Sequence, residues 1–403
     1  MSPTRPLSHR VAVVSYGVVS PLGIGQAENL ASLQAGRDCV REVTAFDVSQ
    51  TRCKTAALVD PDYLAAEGKK RRRLHPSALM LIGAMAEAVT GLGDTRPELF
   101  VVGTTSGGMT YGEHFFRSLQ GQHIKKHARL ASAVANYTPQ KPVLDALEAV
   151  GRTMPVQILA NACATGTNAI GHAFSLIRAG RYQSILCGGY DALSELVYVG
   201  FDSLQASTGE KIRPFDAHRT GLVLGEGAAV LALENWDSAV RRGASIHGEI
   251  VGYGVSTDTY NLTQPHPSGI GPRQAMERAL VSANLTPGTI DYINAHGTAT
   301  RFNDATEGLA ISEIFGSVPV SSTKSMMGHS LGAAGAIEAA FCLLALENDF
   351  LPPNINLQTP DPANSFDLIA NTARPARLQR VLSNSFGFGG TNAALLLQHA
   401  PHE

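Results

Sequence analysis

An α/β fold built on largely parallel central sheets is what this 403-residue sequence predicts, and three observations carry the prediction. Short β-branched runs end in glycine, as in Val11-Ala-Val-Val-Ser-Tyr-Gly17, Leu99-Phe-Val-Val-Gly103 and Ser184-Ile-Leu-Cys-Gly-Gly189. Such runs do not alternate apolar with polar, which is the pattern of strands buried on both faces. Segments of helical length and apolar spacing follow them, giving the alternation of an α/β protein.

Taken in order, Met1 to Arg10 is polar and Pro-containing and reads as a short loose tail. The apolar run Val11 to Val14 is too short for a signal core or a membrane span, so a cytoplasmic protein is expected. Helices are predicted over Pro76–Val89, Thr165–Ala179, Pro272–Ala283, Asn303–Phe315 and His329–Leu346, and further strands over Val156–Ala160 and Ile290–Ile293. Asp349 to Arg377, rich in Pro and Asn, reads as an extended surface connection. Aligned from Cys163 and from His329, two segments share Gly at the fourth position and Ala at the last. They point either to a duplication, with halves 1–250 and 251–403, or to two unrelated Ala/Gly-rich buried helices.

Composition narrows the chemistry. At 44% hydrophobic and 16% charged, the chain is long enough to bury a sizeable core. Its 32 basic and 34 acidic side chains leave no global positive field for nucleic acid or an anionic membrane. Five cysteines without a CxxC pair suit neither a disulfide scaffold nor a zinc site, so reduced thiols are expected.

Cys163 lies where the Val156–Ala160 strand meets the opening of a helix. A helix N-terminus lowers a thiol's pKa through its unpaired N–H groups and dipole, which predicts a nucleophile, whereas a free Cys is otherwise a small core residue. Cys39, Cys53, Cys187 and Cys342 take that core reading. His296, in Asn294-Ala-His-Gly-Thr-Ala-Thr300, and His329, in Ser325-Met-Met-Gly-His-Ser330, stand at strand-to-helix corners beside glycine, with Lys324 upstream of the second. They lack the spacing of a helical metal site, so no catalytic metal is assigned. Ser383-Asn-Ser-Phe-Gly-Phe-Gly-Gly-Thr-Asn392 suits a loop that presents an N–H to an oxyanion, or a tight hairpin.

In order and combination these motifs resemble the β-ketoacyl-acyl-carrier-protein synthases of the thiolase superfamily. The likeness runs from Gly17-Val-Val-Ser-Pro-Leu-Gly23 through Ala162-Cys-Ala-Thr-Gly166, Pro214-Phe-Asp216, Gly225-Glu-Gly227, His296-Gly-Thr298, Lys324-Ser-Met326, Gly328-His329 and Gly332-Ala-Ala-Gly335 to Phe386-Gly-Phe-Gly-Gly390. It implies the duplicated five-layer αβαβα thiolase fold, with each half giving a mixed sheet between helices, and a dimer, either of two copies or with a related ketosynthase-like subunit. It also implies decarboxylative Claisen condensation. Cys163 would hold the acyl group, and His296 and His329 would stabilise the malonyl-derived enolate, with Lys324 tuning His329. The N–H groups of Cys163 and Phe388 would form the oxyanion hole. Phe388 would also gate the acyl pocket, Phe386 would bind substrate beside it, and Thr298 and Thr300 would contact the phosphopantetheine arm, which arrives on an acyl carrier protein rather than as a bound cofactor. Glu338, with Asn294, Ala295, Ser383 and Asn384, would support the site and could hold a structural monovalent cation; its other reading is a salt-bridged core residue.

Asn161, Thr220 and the pair Arg301-Phe302 depart from the family's pattern, which favours a specialised polyketide or polyene pathway over housekeeping fatty-acid elongation. Lys69, Lys70 and Arg71, and a second cluster of Lys125, Lys126 and Arg129, are either docking sites for an acidic carrier protein or solvated faces. Three rivals share parts of this pattern. A thiolase needs a second reactive cysteine, and Cys342 sits in the wrong setting. A non-catalytic chain-length partner subunit would have lost Cys163. A cysteine hydrolase lacks the paired histidines and the GFGG loop.

Overall fold

The computed structural model describes residues 9–71, 74–120 and 134–400. Its first half contributes strands β1 (Val11–Ser20), β2 (Leu99–Gly103), β3 (Val156–Leu159), β4 (Ser184–Asp191) and β5 (Gly227–Asn235), which stand in the order β3-β2-β4-β5-β1. The second half contributes β6 (Gly248–Thr257), β7 (Tyr292–Asn294), β8 (Pro319–Ser321), β9 (Asp367–Leu368), β10 (Arg380–Gly387) and β11 (Thr391–Gln398). These stand in the order β9-β8-β7-β10-β11-β6. With the edge strand β9 set aside, third, second, fourth, fifth and first strands follow one another identically in both halves. Directions repeat too: the second strand is parallel to the third and fourth, and the remaining pairs are antiparallel. Val11–Val13 pair antiparallel with Gly248–Ile250 and join the halves into one continuous sheet. A division at residue 250 falls inside β6.

The sheet is therefore mixed, as the family resemblance implies, and not largely parallel, as the apolar runs suggest. Unbroken apolar runs report burial of both faces and say nothing of direction: β1 and β5 are buried along their whole length yet antiparallel to each other. Helix layers explain that burial. Helix α1 (Pro76–Thr90) covers the outer face of the first half's strands through Met80, Ala84, Met85 and Ala88. Helix α2 (Thr165–Arg178) lies on the inner face. Helix α3 (Ile270–Ala283) and helix α4 (Arg301–Phe315) form the outer layer of the second half, and α5 (Ala334–Glu347) packs against α2 in the middle. The central helix α5 is buried from Ala334 to Leu346, because sheet or helix meets it on every side.

Three expectations change here. Helix α5 begins at Ala334 rather than His329, since the His329 backbone is spent in a bridge: its N–H donates to Val223 at 2.8 Å and its carbonyl accepts from Gly225 at 2.9 Å. The repeat register also moves by three residues. A 3-10 turn precedes each central helix, Ala162–Ala164 and Leu331–Ala333, and each turn opens on a residue with positive φ, Ala162 at 56° and Leu331 at 52°. Cys163 thus corresponds to Gly332, and Gly166 to Gly335. Within the predicted surface connection, Phe350, Leu351, Asn354 and Ile355 are buried, with the Asn354 amide donating to the Pro214 carbonyl at 3.0 Å. No helix among the described residues is long and apolar enough to cross a membrane.

Candidate active site

Cys163, His296 and His329 each follow a strand whose carboxyl end points to one region, the usual address of a site in sheets of this kind. All three line a single cavity of about 530 Å³, together with Phe386, Phe388, Thr298 and Thr300. The imidazoles of His296 and His329 meet edge to face with centroids 5.2 Å apart, and His296 lies 5.8 Å from Phe386.

Each side chain is held by its backbone. The turn carrying Cys163 is closed by Thr165, whose hydroxyl donates to the Ala162 carbonyl and accepts from the Asn161 N–H. Gly387 presses on this turn so closely that a Cβ there would come within 3.1 Å of the Cys163 nitrogen. Loop 296–297 is clamped by the buried Glu307, which accepts from the N–H groups of His296 and Gly297, both at 2.8 Å, and from the Asn384 amide at 3.1 Å. Burial pushes the Glu307 carboxyl up to about 7. Asp191, at the end of β4, accepts from Thr104, Thr105, Ser106 and Gly332 at 2.7 to 2.8 Å. It ties the turn corresponding to the cysteine turn onto the first half. Neither acid was singled out from the sequence. Their donors come from other strands and loops, and no local pattern marks them.

The electrostatics overturn one expectation. Burial raises the Cys163 thiol to about 12, and Lys324 and the N–H groups of Phe388 and Cys163 itself only pull part of the way back, while Asp191 adds to the rise. The helix end is present, but removal from water outweighs it. Both histidines are held well below their ordinary pKa, by burial first and then by Lys324, with His329 adding to the effect on His296. They are neutral near pH 7.

Lys324 and Glu338 do not line the cavity. They form a fully buried ion pair behind the imidazoles, and the Glu338 carboxyl is raised to about 7 by burial against the pull of Lys324. Phe388 stacks on Phe201, with centroids 5.4 Å apart and planes 19° from parallel. Phe201 was not anticipated, since residue 201 is remote in sequence from every motif. Thr298 and Thr300 share a 2.9 Å hydroxyl contact. Thr220, Arg301 and Phe302 reach the same cavity. Lys69, Lys70 and Arg71 lie elsewhere, at the end of helix Pro61–Lys70, where Lys70 and Arg71 pair with Glu67. Lys125, Lys126 and Arg129 fall outside the described residues.

A thiol and two neutral imidazoles from different halves of a duplicated thiolase-like fold define a class: acyltransferases that carry an acyl group on cysteine and join it to a second unit. The chain belongs to the β-ketoacyl synthase family. Residues 8–239 match the β-ketoacyl synthase N-terminal domain and 247–358 its C-terminal domain. It is 38% identical to a putative polyketide beta-ketoacyl synthase 1 of Streptomyces cyaneus over 97% of this chain and 98% of that protein. It is 36% identical to 3-oxoacyl-[acyl-carrier-protein] synthase 2 of a Synechocystis species, over 96% and 97% respectively. The solved structure of the ishigamide ketosynthase/chain length factor superposes with a TM-score of 0.90 at 32% identity, covering 98% of this chain and all of that one.

Proposed function

We propose that this chain condenses an acyl group held on Cys163 with a malonyl unit delivered by an acyl carrier protein. The single observation that carries the proposal is the cavity that Cys163 shares with the two neutral imidazoles. In the first half-reaction the sulfur attacks the carrier's thioester while its proton passes to an imidazole and then to the departing pantetheine thiolate. The N–H groups of Phe388 and Cys163, which face the sulfur, hold the oxyanion. In the second, His296 and His329 donate to the malonyl thioester carbonyl as the C–C bond to the carboxylate breaks and carbon dioxide leaves. The enolate carbon attacks the acyl carbonyl, the bond to the Cys163 sulfur breaks, and the thiolate recovers a proton.

Thr298 and Thr300 guide the phosphopantetheine arm, and the stacked Phe388 and Phe201 bound the acyl end. Burial keeps the imidazoles uncharged, and Lys324 adds to it. Asn294 Oδ1, Ser383 Oγ, Asn384 Oδ1 and Glu338 Oε2 are buried without hydrogen-bond partners among the described residues, and Asn294 and Ser383 are register neighbours on β7 and β10. This oxygen-rich donor set suits a monovalent cation that would brace the loops of His296 and Phe388. The working form is a cytoplasmic dimer, of two copies or with a related subunit; the intact nucleophile favours a catalytic chain over a silent partner. Intact mass spectrometry after exposure to acyl-carrier protein tests the assignment: the acyl mass on Cys163 supports it, and its absence with every acyl group offered refutes it.

A further inference from the structure

Beside the catalytic cavity lies a second, also of about 530 Å³, that shares Thr220 and Arg301 with it. Its wall carries Arg213, His218, Arg219 and Arg301 against two acids, Glu210 and Asp361. Both acids are already engaged: Glu210 pairs with Arg213, and Asp361 accepts from Arg219 Nη1 at 2.7 Å. The Nε–H groups of Arg213 and Arg219 have no hydrogen-bond acceptor among the described residues, although Arg219, only 8% exposed, forms a long ion pair with Asp304 at 4.0 Å. Arg301 has no acidic partner among the described residues; only its backbone carbonyl is used, accepting from Arg219 Nη2 at 3.3 Å. Its guanidinium is exposed at the first turn of α4, where the helix adds positive potential. Arg301 is thus the unmatched charge of this cavity, and it sits at the border with the catalytic one.

We propose that this second cavity seats the phosphate of the phosphopantetheine arm, with Arg301 as its ionic partner. The inference rests on the condensing role above: if the thioester end of the arm reaches Cys163, the phosphodiester trails behind it at the mouth, where Arg301 stands. A planar guanidinium binds a phosphate through two parallel N–H donors. Arg213 and Arg219 are matched by Glu210, Asp361 and Asp304, so Arg301 is the charge left for a phosphate.

The test is protection of Cys163 from iodoacetamide, read by peptide mass spectrometry. The protectants are the S-butyl thioethers of pantetheine and of 4′-phosphopantetheine, which carry no thiol and need no acyl specificity. In the unmodified protein the phosphorylated compound should protect at about tenfold lower concentration. In Arg301→Ala that advantage should fall to within about twofold, and Arg301→Lys, a point charge without the fork, should retain part of it. Equal protection by both compounds in the unmodified protein overturns the proposal, as does an advantage that survives Arg301→Ala. So does an Arg301→Ala defect seen only with intact carrier protein, which would place Arg301 against the carrier's acidic surface. Failure of both compounds to protect, while acyl-carrier protein still acylates Cys163, rejects the seat and leaves the condensing role intact. Absence of any acyl adduct rejects that role instead.

Discussion

At the scale of the residue, Cys163 loses more by leaving water than it gains from the amides and Lys324 around it, so its thiol is protonated in the resting site. Thiolate supply then rises with pH throughout the accessible range. Alkylation of Cys163 by iodoacetamide is predicted to accelerate about tenfold per pH unit from pH 7 to pH 9, with no plateau; levelling near pH 8 would show that the helix end dominates after all. Acylation needs only one imidazole as a proton relay, whereas decarboxylation and condensation use both rings as donors. His329→Ala should slow condensation by about 10²- to 10³-fold while Cys163 still accepts an acyl group, whereas equal loss of both half-reactions would mean that the ring merely holds the pocket open. Sequence made these residues legible because each lies in a local motif. It misjudged the acidity of Cys163 because local sequence shows the helix beneath a thiol and hides how completely other segments bury it.

At the scale of the element, the site depends on how closely two central helices approach. A Cβ on Gly335 would fall 2.1 Å from Thr167 Oγ1 and 2.7 Å from the Thr167 nitrogen, and one on Gly166 would fall 2.8 Å from the Ala336 nitrogen. Backbone cannot yield as a side chain can, so Gly335→Ala should destabilise the protein by about 1–3 kcal/mol, read as a lower urea midpoint; an unchanged midpoint would show that the interface is slack. The helices themselves were legible from apolar spacing, within a few residues at their ends. The clamps were not: Asp191 collects donors from residues 85 to 141 positions away, and Glu307 marks its loop only once α4 is folded beneath it. A single sequence also shows direction poorly, since β1 and β5 look like parallel strands and run antiparallel.

At the scale of the whole molecule, duplication creates the chemistry: one half supplies the sulfur, the other both imidazoles, and the bridge of His329 to Val223 and Gly225 locks the halves in register. The repeat was visible in sequence only as shared small residues, three positions out of register, because fold symmetry is kept by strand order and turn geometry more than by side chains. Carrier-protein delivery belongs to this scale too. Reversing the charge of Lys125 and Lys126 should weaken use of acyl-carrier protein and leave small acyl thioesters unaffected, more so at low salt; equal loss with both would point to damage within the fold. The account as a whole turns on bond formation at the acylated cysteine. The direct measurement is to isolate the protein with an acyl group on Cys163, add malonyl-carrier protein, and weigh both proteins. The adduct should vanish as 3-oxoacyl-carrier protein and carbon dioxide appear, and Cys163→Ala should yield neither adduct nor product. Loss of the adduct as free acid, with the malonyl-carrier protein unchanged, would contradict it and make this chain a hydrolase.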